Sequence, residues 1–89
     1  DLAQNFPNPF NPETTIPLTL TRAGVVRVEI IDAVGQRIRV LRDGELSAGP
    51  HVLQWHGEDD TGRQVASGIY LYRAITDEGV KTRRMTLLR

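Results

Sequence analysis

The sequence predicts an all-β fold, an antiparallel β-sandwich of about seven short strands. Apolar residues alternate with polar ones at the strand period of two in several short segments, and no segment shows helical periodicity. Turn-forming combinations of Asp, Gly, Pro and Asn separate these segments along the chain. Many short strands separated by turns are typical of a sandwich of two antiparallel sheets.

The 89 residues suffice for one domain, and their charges balance. Eleven basic and eleven acidic side chains give a formal net charge of zero, which argues against nucleic acid or an anionic membrane as the main partner. No apolar run approaches the roughly 18 residues of a membrane-spanning helix, so membrane insertion is not expected. The first residues lack the features of a signal peptide, and we expect any export signal to lie upstream of Asp1.

The absence of cysteine and the scatter of other reactive groups argue against a catalytic or metal centre. A disulfide, a thiolate metal site and a cysteine nucleophile are excluded. No serine stands in a Gly-x-Ser-x-Gly setting, and no carboxylate pair is placed as acid and base. His51 and His56 are five residues apart, which sends them to opposite faces of one strand. We therefore expect no enzyme and no cofactor.

Residues 1–13 form an Asn/Pro-rich lead-in to a sandwich that occupies residues 14–89. Three prolines lie within six positions of this segment, where they remove backbone donors and favour extended conformations. Two phenylalanines in the same stretch indicate that it packs on the domain surface.

The next segments predict an edge strand and a hairpin. Ile16, Leu18 and Leu20 alternate after Thr15, but Pro17 cannot donate to a sheet ladder, which favours an edge position. Two alternating segments follow, joined by a type I turn with Asp at its first and Gly at its fourth place. In the first segment Val26, Val28 and Ile30 share a face, and in the second, which we expect to span positions 36–41, Ile38 and Val40 do so.

Trp55 is expected to anchor the core. Leu53 lies two residues earlier and therefore points to the same face. The predicted core combines these two residues with three others, namely Val28, Ile30 and Tyr70. A turn, a short strand at positions 64–66, a strand over 69–76 and a last strand over 80–88 complete the predicted fold.

Two binding alternatives remain open from the residues alone. An exposed platform of Trp55, Tyr70 and Tyr72 would stack on sugar rings, as in a carbohydrate-binding module, although a Trp in mid-strand is more often core. Asp59 and Asp60 follow another acidic residue and offer oxygen ligands to Ca²⁺, but the ligand spacing of an EF-hand is missing and turn formation explains the same residues.

Several short sequence motifs, taken together, resemble those of a known protein family. The chain opens with LAQNFPNPFNP, later contains VEIIDAVG, DDTG and VASGIY, and ends in TRRMTLLR. These stretches resemble the type A C-terminal sorting domain of the bacterial type IX secretion system. The region from about Val25 to Tyr72 is also similar to the immunoglobulin-like domain of flagellar hook-capping proteins. The resemblance thus implies an immunoglobulin-like sandwich.

The resemblance implies a function without chemistry in the domain itself. Such a domain directs an upstream passenger protein, after transit through the periplasm of a Gram-negative bacterium, to an outer-membrane translocon. A sortase-like peptidase then processes the passenger, which becomes secreted or attached to the cell surface. The alternatives are a carbohydrate-binding module and an immunoglobulin-like spacer or hook-capping-type module of a secreted multidomain protein.

We expect the last strand to carry the recognition surface, because an open strand edge can pair with a strand of a partner. The candidate contact residues are Lys81, Arg83, Arg84, Met85, Leu87, Leu88 and Arg89. The basic members are equally compatible with a solvated face that discourages edge pairing. The sorting domains commonly end in Lys, whereas Arg89 presents a planar guanidinium.

Overall fold

The computed structural model describes residues 1–89 and contains six β-strands and no α-helix. The strands are β1 (Thr14–Leu20), β2 (Gly24–Asp32), β3 (Arg37–Leu46), β4 (Gly49–Trp55), β5 (Gly68–Thr76) and β6 (Gly79–Leu87). One sheet pairs β1 with β4, and the other has the order β3-β2-β5-β6, with all pairs antiparallel. No helix in the structure has the length and apolar character needed to span a membrane.

The predicted all-β sandwich is confirmed, with one strand fewer than expected. The segment at positions 64–66 does not form a strand, and only an isolated bridge joins Gln64 to Glu58. The expected edge position of β1 is also confirmed, because β1 has a single strand partner, β4.

Both sheets contribute side chains to one core built around Trp55, which is 0% exposed. Its ring lies 5.7 Å from that of Phe10 and 5.3 Å from that of Tyr70, both in tilted or edge-on arrangements that favour aromatic pairs. The indole Nε1 donates a hydrogen bond to the carbonyl of Glu58 at 2.8 Å. Val28 and Ile30 are fully buried, and Leu53 packs against this core from a half-buried position.

The β2–β3 hairpin is longer and less regular than the sequence predicts. Its strand β3 extends to Leu46, past the Asp-Gly pair at positions 43–44. Register shifts between Val28 and Glu29 and between Ile30 and Ile31 break the alternation, as β-bulges do. As a result Val40 pairs with Glu29 on the outer face, whereas Ile38 and Leu41 pack against the core. The expectation that Ile38 and Val40 share a face is wrong.

The lead-in is hydrogen-bonded along the free edge of β1. Phe6 and Thr15 exchange two backbone hydrogen bonds of 2.9 Å, and the Ala3 N–H donates to the Pro17 carbonyl at 3.1 Å. The missing N–H of Pro17 therefore falls on the lead-in side, because alternate residues of a strand point to opposite neighbours. Proline is tolerated here because no bond to β4 is lost.

The Tyr72 hydroxyl fixes the lead-in from inside the domain. It accepts a hydrogen bond from the Asn5 N–H at 2.9 Å and donates one to the Ala3 carbonyl at 2.6 Å. The Asn5 side chain, itself buried, donates to the Thr14 hydroxyl at 2.9 Å. Every buried side-chain polar atom has a partner, so the lead-in is an integral part of the fold.

We expect Tyr72→Phe to loosen the lead-in without unfolding the sandwich. The change leaves the Asn5 N–H and the Ala3 carbonyl without their partner, at a cost of about 1–3 kcal/mol in the free energy of unfolding. Urea denaturation measures this loss, and amide exchange at residues 3–6 should become faster.

Tyr70→Phe is the matched control, because the Tyr70 hydroxyl donates only to the Ala66 carbonyl, in the connection between β4 and β5. It should leave exchange at residues 3–6 unchanged. Equal exchange at these residues in Tyr72→Phe and in the unaltered chain would contradict the assignment.

Candidate functional site

The C-terminal strand β6 is an edge strand of the larger sheet. Its alternation directs Met85 and Leu87 inward, and both are 0% exposed. These two side chains belong to the core and are not accessible to a partner of the folded domain, which corrects their place among the candidate contacts. The exposed members of the candidate set are Lys81, Arg83, Arg84, Leu88 and Arg89.

The second half of the β6 edge is not open, because the lead-in covers it. The Phe10 N–H donates to the Thr86 carbonyl at 3.0 Å, and the Leu88 N–H donates to the Phe10 carbonyl at 2.9 Å. The Asn8 side chain accepts a bond from the Thr86 N–H at 3.0 Å. The aromatic side chain of Phe10 in a proline-rich segment predicts that the segment packs on the domain. Nothing in the sequence predicts that it packs along the edge of β6.

The first half of β6, Val80–Arg84, remains accessible, and we call it the open half-edge. The Thr86 N–H and carbonyl both point away from β5, toward the lead-in. Since the β5–β6 register is continuous, the same groups of Val80, Thr82 and Arg84 point outward too. The only bond found to these groups is from the Gln4 side chain to the Arg84 carbonyl, at 2.9 Å.

The cations of the open half-edge have no acidic partners. Lys81, Arg83 and Arg84 form no salt bridge within 4.0 Å. Arg83 donates through Nε to the Leu2 carbonyl at 2.6 Å, which ties the first residues of the lead-in to β6. The structure thus places positive charge beside unpaired backbone groups.

Arg89 is held by the loop between β4 and β5. Its guanidinium donates to the carbonyls of Val65 at 2.6 Å and Gly57 at 2.7 Å, and also to the side-chain oxygen of Gln64. Its backbone N–H donates to the Ser67 hydroxyl at 2.9 Å. A planar fork suits several acceptors at once, so this residue stabilises the loop.

Gly57 makes room for this arrangement. Its φ of +72° lies in the left-handed region that favours glycine. A Cβ at this position would lie 2.8 Å from Nη2 of Arg89. No sequence pattern singles out Gly57, although it directly follows the Trp-His pair at the end of β4.

The three aromatic residues of the carbohydrate alternative do not form an exposed platform. Trp55 and Tyr72 are fully buried, and Tyr70 is buried as well. Burial raises the pKa of both tyrosine hydroxyls, and each hydroxyl is hydrogen-bonded inside the domain. These side chains therefore build the core and offer no stacking surface for a sugar.

The acidic loop of the calcium alternative is engaged with protein groups. Oδ1 of Asp59 accepts bonds from the hydroxyl and N–H of Thr61 and from the Arg63 N–H, and the Thr61 hydroxyl bond chiefly lowers the pKa of Asp59. Asp60 instead accepts from the Val40 N–H at 3.0 Å and so ties the loop to β3. No group of three or more His, Cys, Asp or Glu side chains is arranged to hold a metal ion.

Glu29 is a buried carboxylate, 4% exposed, on the outer face of the larger sheet. Its oxygens accept bonds from Nε of Arg73 at 2.6 Å and Nε of Arg27 at 3.0 Å. Burial raises the pKa of Glu29, but the bonds from Arg27 and Arg73 outweigh that effect and the net pKa is lowered. The group is thus held ionised, which suits a structural ion cluster and not a proton donor.

Arg89→Ala should destabilise the chain by about 1–2 kcal/mol, because three charge-assisted hydrogen bonds are lost at a partly solvated site. Arg89→Lys should give a smaller loss, since an ammonium keeps the charge but lacks the fork. Urea denaturation and amide exchange at residues 57–67 measure both effects. Arg63→Ala is the control, a cation of the same loop whose side chain makes no hydrogen bond. Identical exchange in Arg89→Ala and Arg63→Ala would overturn the role of Arg89.

Glu29→Gln should reduce the free energy of unfolding near pH 7 by about 1–2 kcal/mol, a modest value because both arginines are partly exposed. A carboxylate whose pKa is lowered in the folded state stabilises above its unfolded pKa of about 4.3. That contribution is lost as the pH falls through the folded pKa. The difference between the variant and the unaltered chain should therefore shrink toward pH 3 in urea titrations. Glu45→Gln, an exposed change on β3, should show no such trend, and a pH-independent difference for Glu29→Gln would refute the ion cluster.

Comparison with solved structures shows where this architecture recurs. PorU from Porphyromonas gingivalis is 23% identical with a TM-score of 0.77, over 96% of this chain and 9% of that one. PorZ, described as a surface component of the type IX secretion system of the same bacterium, is 26% identical with a TM-score of 0.64, over 97% and 11%. FlgD from P. aeruginosa is 26% identical with a TM-score of 0.66, over 83% and 58%.

A search of curated proteins finds no match. This chain spans only a small part of PorU and PorZ and little more than half of the P. aeruginosa FlgD chain. A family model described as the FlgD Ig-like domain matches residues 11–79. Its match covers most of the chain, and the two antiparallel sheets around one core agree with the expected immunoglobulin-like sandwich. The chain belongs to the FlgD Ig-like domain family.

Proposed function

We propose that this domain is a non-catalytic sorting signal that directs an exported passenger protein through an outer-membrane type IX translocon. The observation that carries the proposal is the likeness of 97% of the chain, including the lead-in, to a small part of PorZ, a surface component of a type IX system. The opening Asn/Pro-rich motif and the Leu-Leu-basic ending support it, as does a surface of cations without acidic partners on the last strand.

In this proposal the translocon binds the exposed side chains of the C-terminal strand. These are Lys81, Arg83 and Arg84 of β6, together with Leu88 and Arg89, which directly follow the strand. Arg89 is recognised in its loop-bound position. Met85 and Leu87 act indirectly, because their burial holds the strand in place. A sortase-like peptidase then processes the passenger upstream of the domain, which ends secreted or on the cell surface. The domain itself needs no cofactor, no nucleic acid and no membrane insertion.

A second candidate function is an immunoglobulin-like spacer or assembly module, as in hook-capping proteins. The observation in its favour is the extent of the family match, residues 11–79, which omits most of the lead-in and nearly all of β6. These omitted parts are those that the sorting proposal uses. The carbohydrate-binding alternative has lost its support, because its aromatic residues are buried.

A secretion assay separates the sorting signal from the spacer. A periplasmic signal peptide and a fluorescent protein are fused upstream of residues 1–89 and expressed in a bacterium with a working type IX system. We expect fluorescence at the cell surface or in the medium, and its loss when the translocon is deleted. Fluorescence retained in the periplasm with a folded domain would refute the sorting function and favour the spacer.

A matched pair of charge reversals then tests the surface. Lys81→Glu with Arg84→Glu changes two exposed cations of β6, and Arg37→Glu with Arg42→Glu changes two exposed cations of β3 by the same total charge. None of these four side chains forms a salt bridge. Secretion should fall at least tenfold only in the β6 variant. Equal secretion of both variants would exclude β6 as the recognition surface.

A further inference from the structure

The open half-edge of β6 can pair with one additional β-strand. Val80, Thr82 and Arg84 direct their backbone groups away from β5, and no other strand pairs with them. From Phe6 back to Asp1 the lead-in backbone pairs with β1 instead of β6, as in the bond from Ala3 to Pro17. Only two side-chain bonds join this part to β6, from Gln4 to the Arg84 carbonyl and from Arg83 to the Leu2 carbonyl. An unpaired row of donors and acceptors in fixed geometry is what strand addition requires.

Where the lead-in diverges from β6, a cleft of about 120 Å³ opens between the two sheets. Its apolar lining comes from the lead-in, both sheets and the open half-edge, and includes Leu2, Leu18, Leu20, Val26, Ala74 and Val80. Polar side chains, among them those of Asp77 and Glu78, line the rest of it. A cavity of about 150 Å³ holds a benzene molecule, so this cleft has room for one aliphatic side chain. Lys81 also lines the cleft, and the side chain of a residue paired with Lys81 would lie on the same face of the sheet.

The charges select the partner. Lys81, Arg83 and Arg84 have no acidic partner. The nearby acids Asp77 and Glu78 already contact Arg22 at 3.4 and 3.5 Å. A second copy of this chain paired antiparallel through β6 and centred on Thr82 would bring Lys81 opposite Arg83 twice. Like charges directly opposite are destabilising, so an acidic strand is favoured over a second copy.

We propose that the open half-edge and its cleft bind an extended acidic peptide segment of a partner protein by β-strand addition. The segment pairs with Val80–Arg84, places one aliphatic side chain in the cleft and sets carboxylates against Arg83 and Arg84. This inference concerns binding by the chain itself and does not depend on the sorting role.

A designed peptide tests the proposal on the 89-residue chain in solution. The probe is acetyl-Thr-Asp-Glu-Thr-Leu-Val-Thr-amide, which in antiparallel pairing sets Asp opposite Arg84, Glu opposite Arg83 and Leu opposite Lys81. Titration followed by backbone NMR should shift the amides of residues 80–84 and of the cleft. Replacing Leu by Ala, or both acids by Lys, should weaken binding at least tenfold.

A variant of the backbone distinguishes strand addition from simple charge attraction. Thr82→Pro removes an outward N–H without removing a bond to β5, and proline is tolerated at such edges; Thr82→Val keeps the N–H. The peptide should bind Thr82→Val as it binds the unaltered chain, and Thr82→Pro at least tenfold more weakly, with both variants folded by circular dichroism. Three outcomes would each overturn the proposal. They are equal binding to both variants, amide shifts centred on Phe10 and Thr86, and self-association through β6 that excludes the peptide.

Discussion

The structure depends on how the edges of its two sheets are closed. A small sandwich has strand edges whose backbone groups need partners, and here one irregular segment supplies them for two strands. The lead-in bonds first to β1 and then to the end of β6, so it joins the two sheets along one side. Tyr72, with its hydroxyl between the Asn5 N–H and the Ala3 carbonyl, holds that segment from within. The extent of this closure decides which part of β6 remains accessible.

The strands and their inward faces could be predicted from the sequence because they follow a local period. Val26, Val28 and Ile30 are buried as the alternation requires, and Trp55 lies at the centre of the core. The prediction was wrong where geometry departs from that period. Bulges in β3 place Val40 on the outer face, and no composition signal marks where a bulge occurs.

The candidate site was harder to predict because its features depend on contacts between distant positions. The basic residues of β6 are evident in the sequence. The expectation that Met85 and Leu87 contact a partner is wrong, because the period-two alternation of the strand directs both inward. Phe10 and Asn8 cover the end of β6, although nearly the whole chain separates them from that strand in the sequence. Short-range patterns carry no information on such pairings. The close approach of Arg89 to Gly57 likewise joins residues that are far apart in the sequence, and no local pattern predicts it.

The pairing of the first residues with the last strand also sets the order in which the domain can fold. Gln4 bonds to Arg84 across 80 positions and Leu2 to Arg83 across 81. Contacts of such separation form slowly, since the intervening chain must be ordered before they are made. A chain that emerges from the ribosome or from a membrane pore with its N-terminus first cannot complete this edge until its last ten or so residues have followed. The domain therefore reaches its final form only after nearly all of it has emerged.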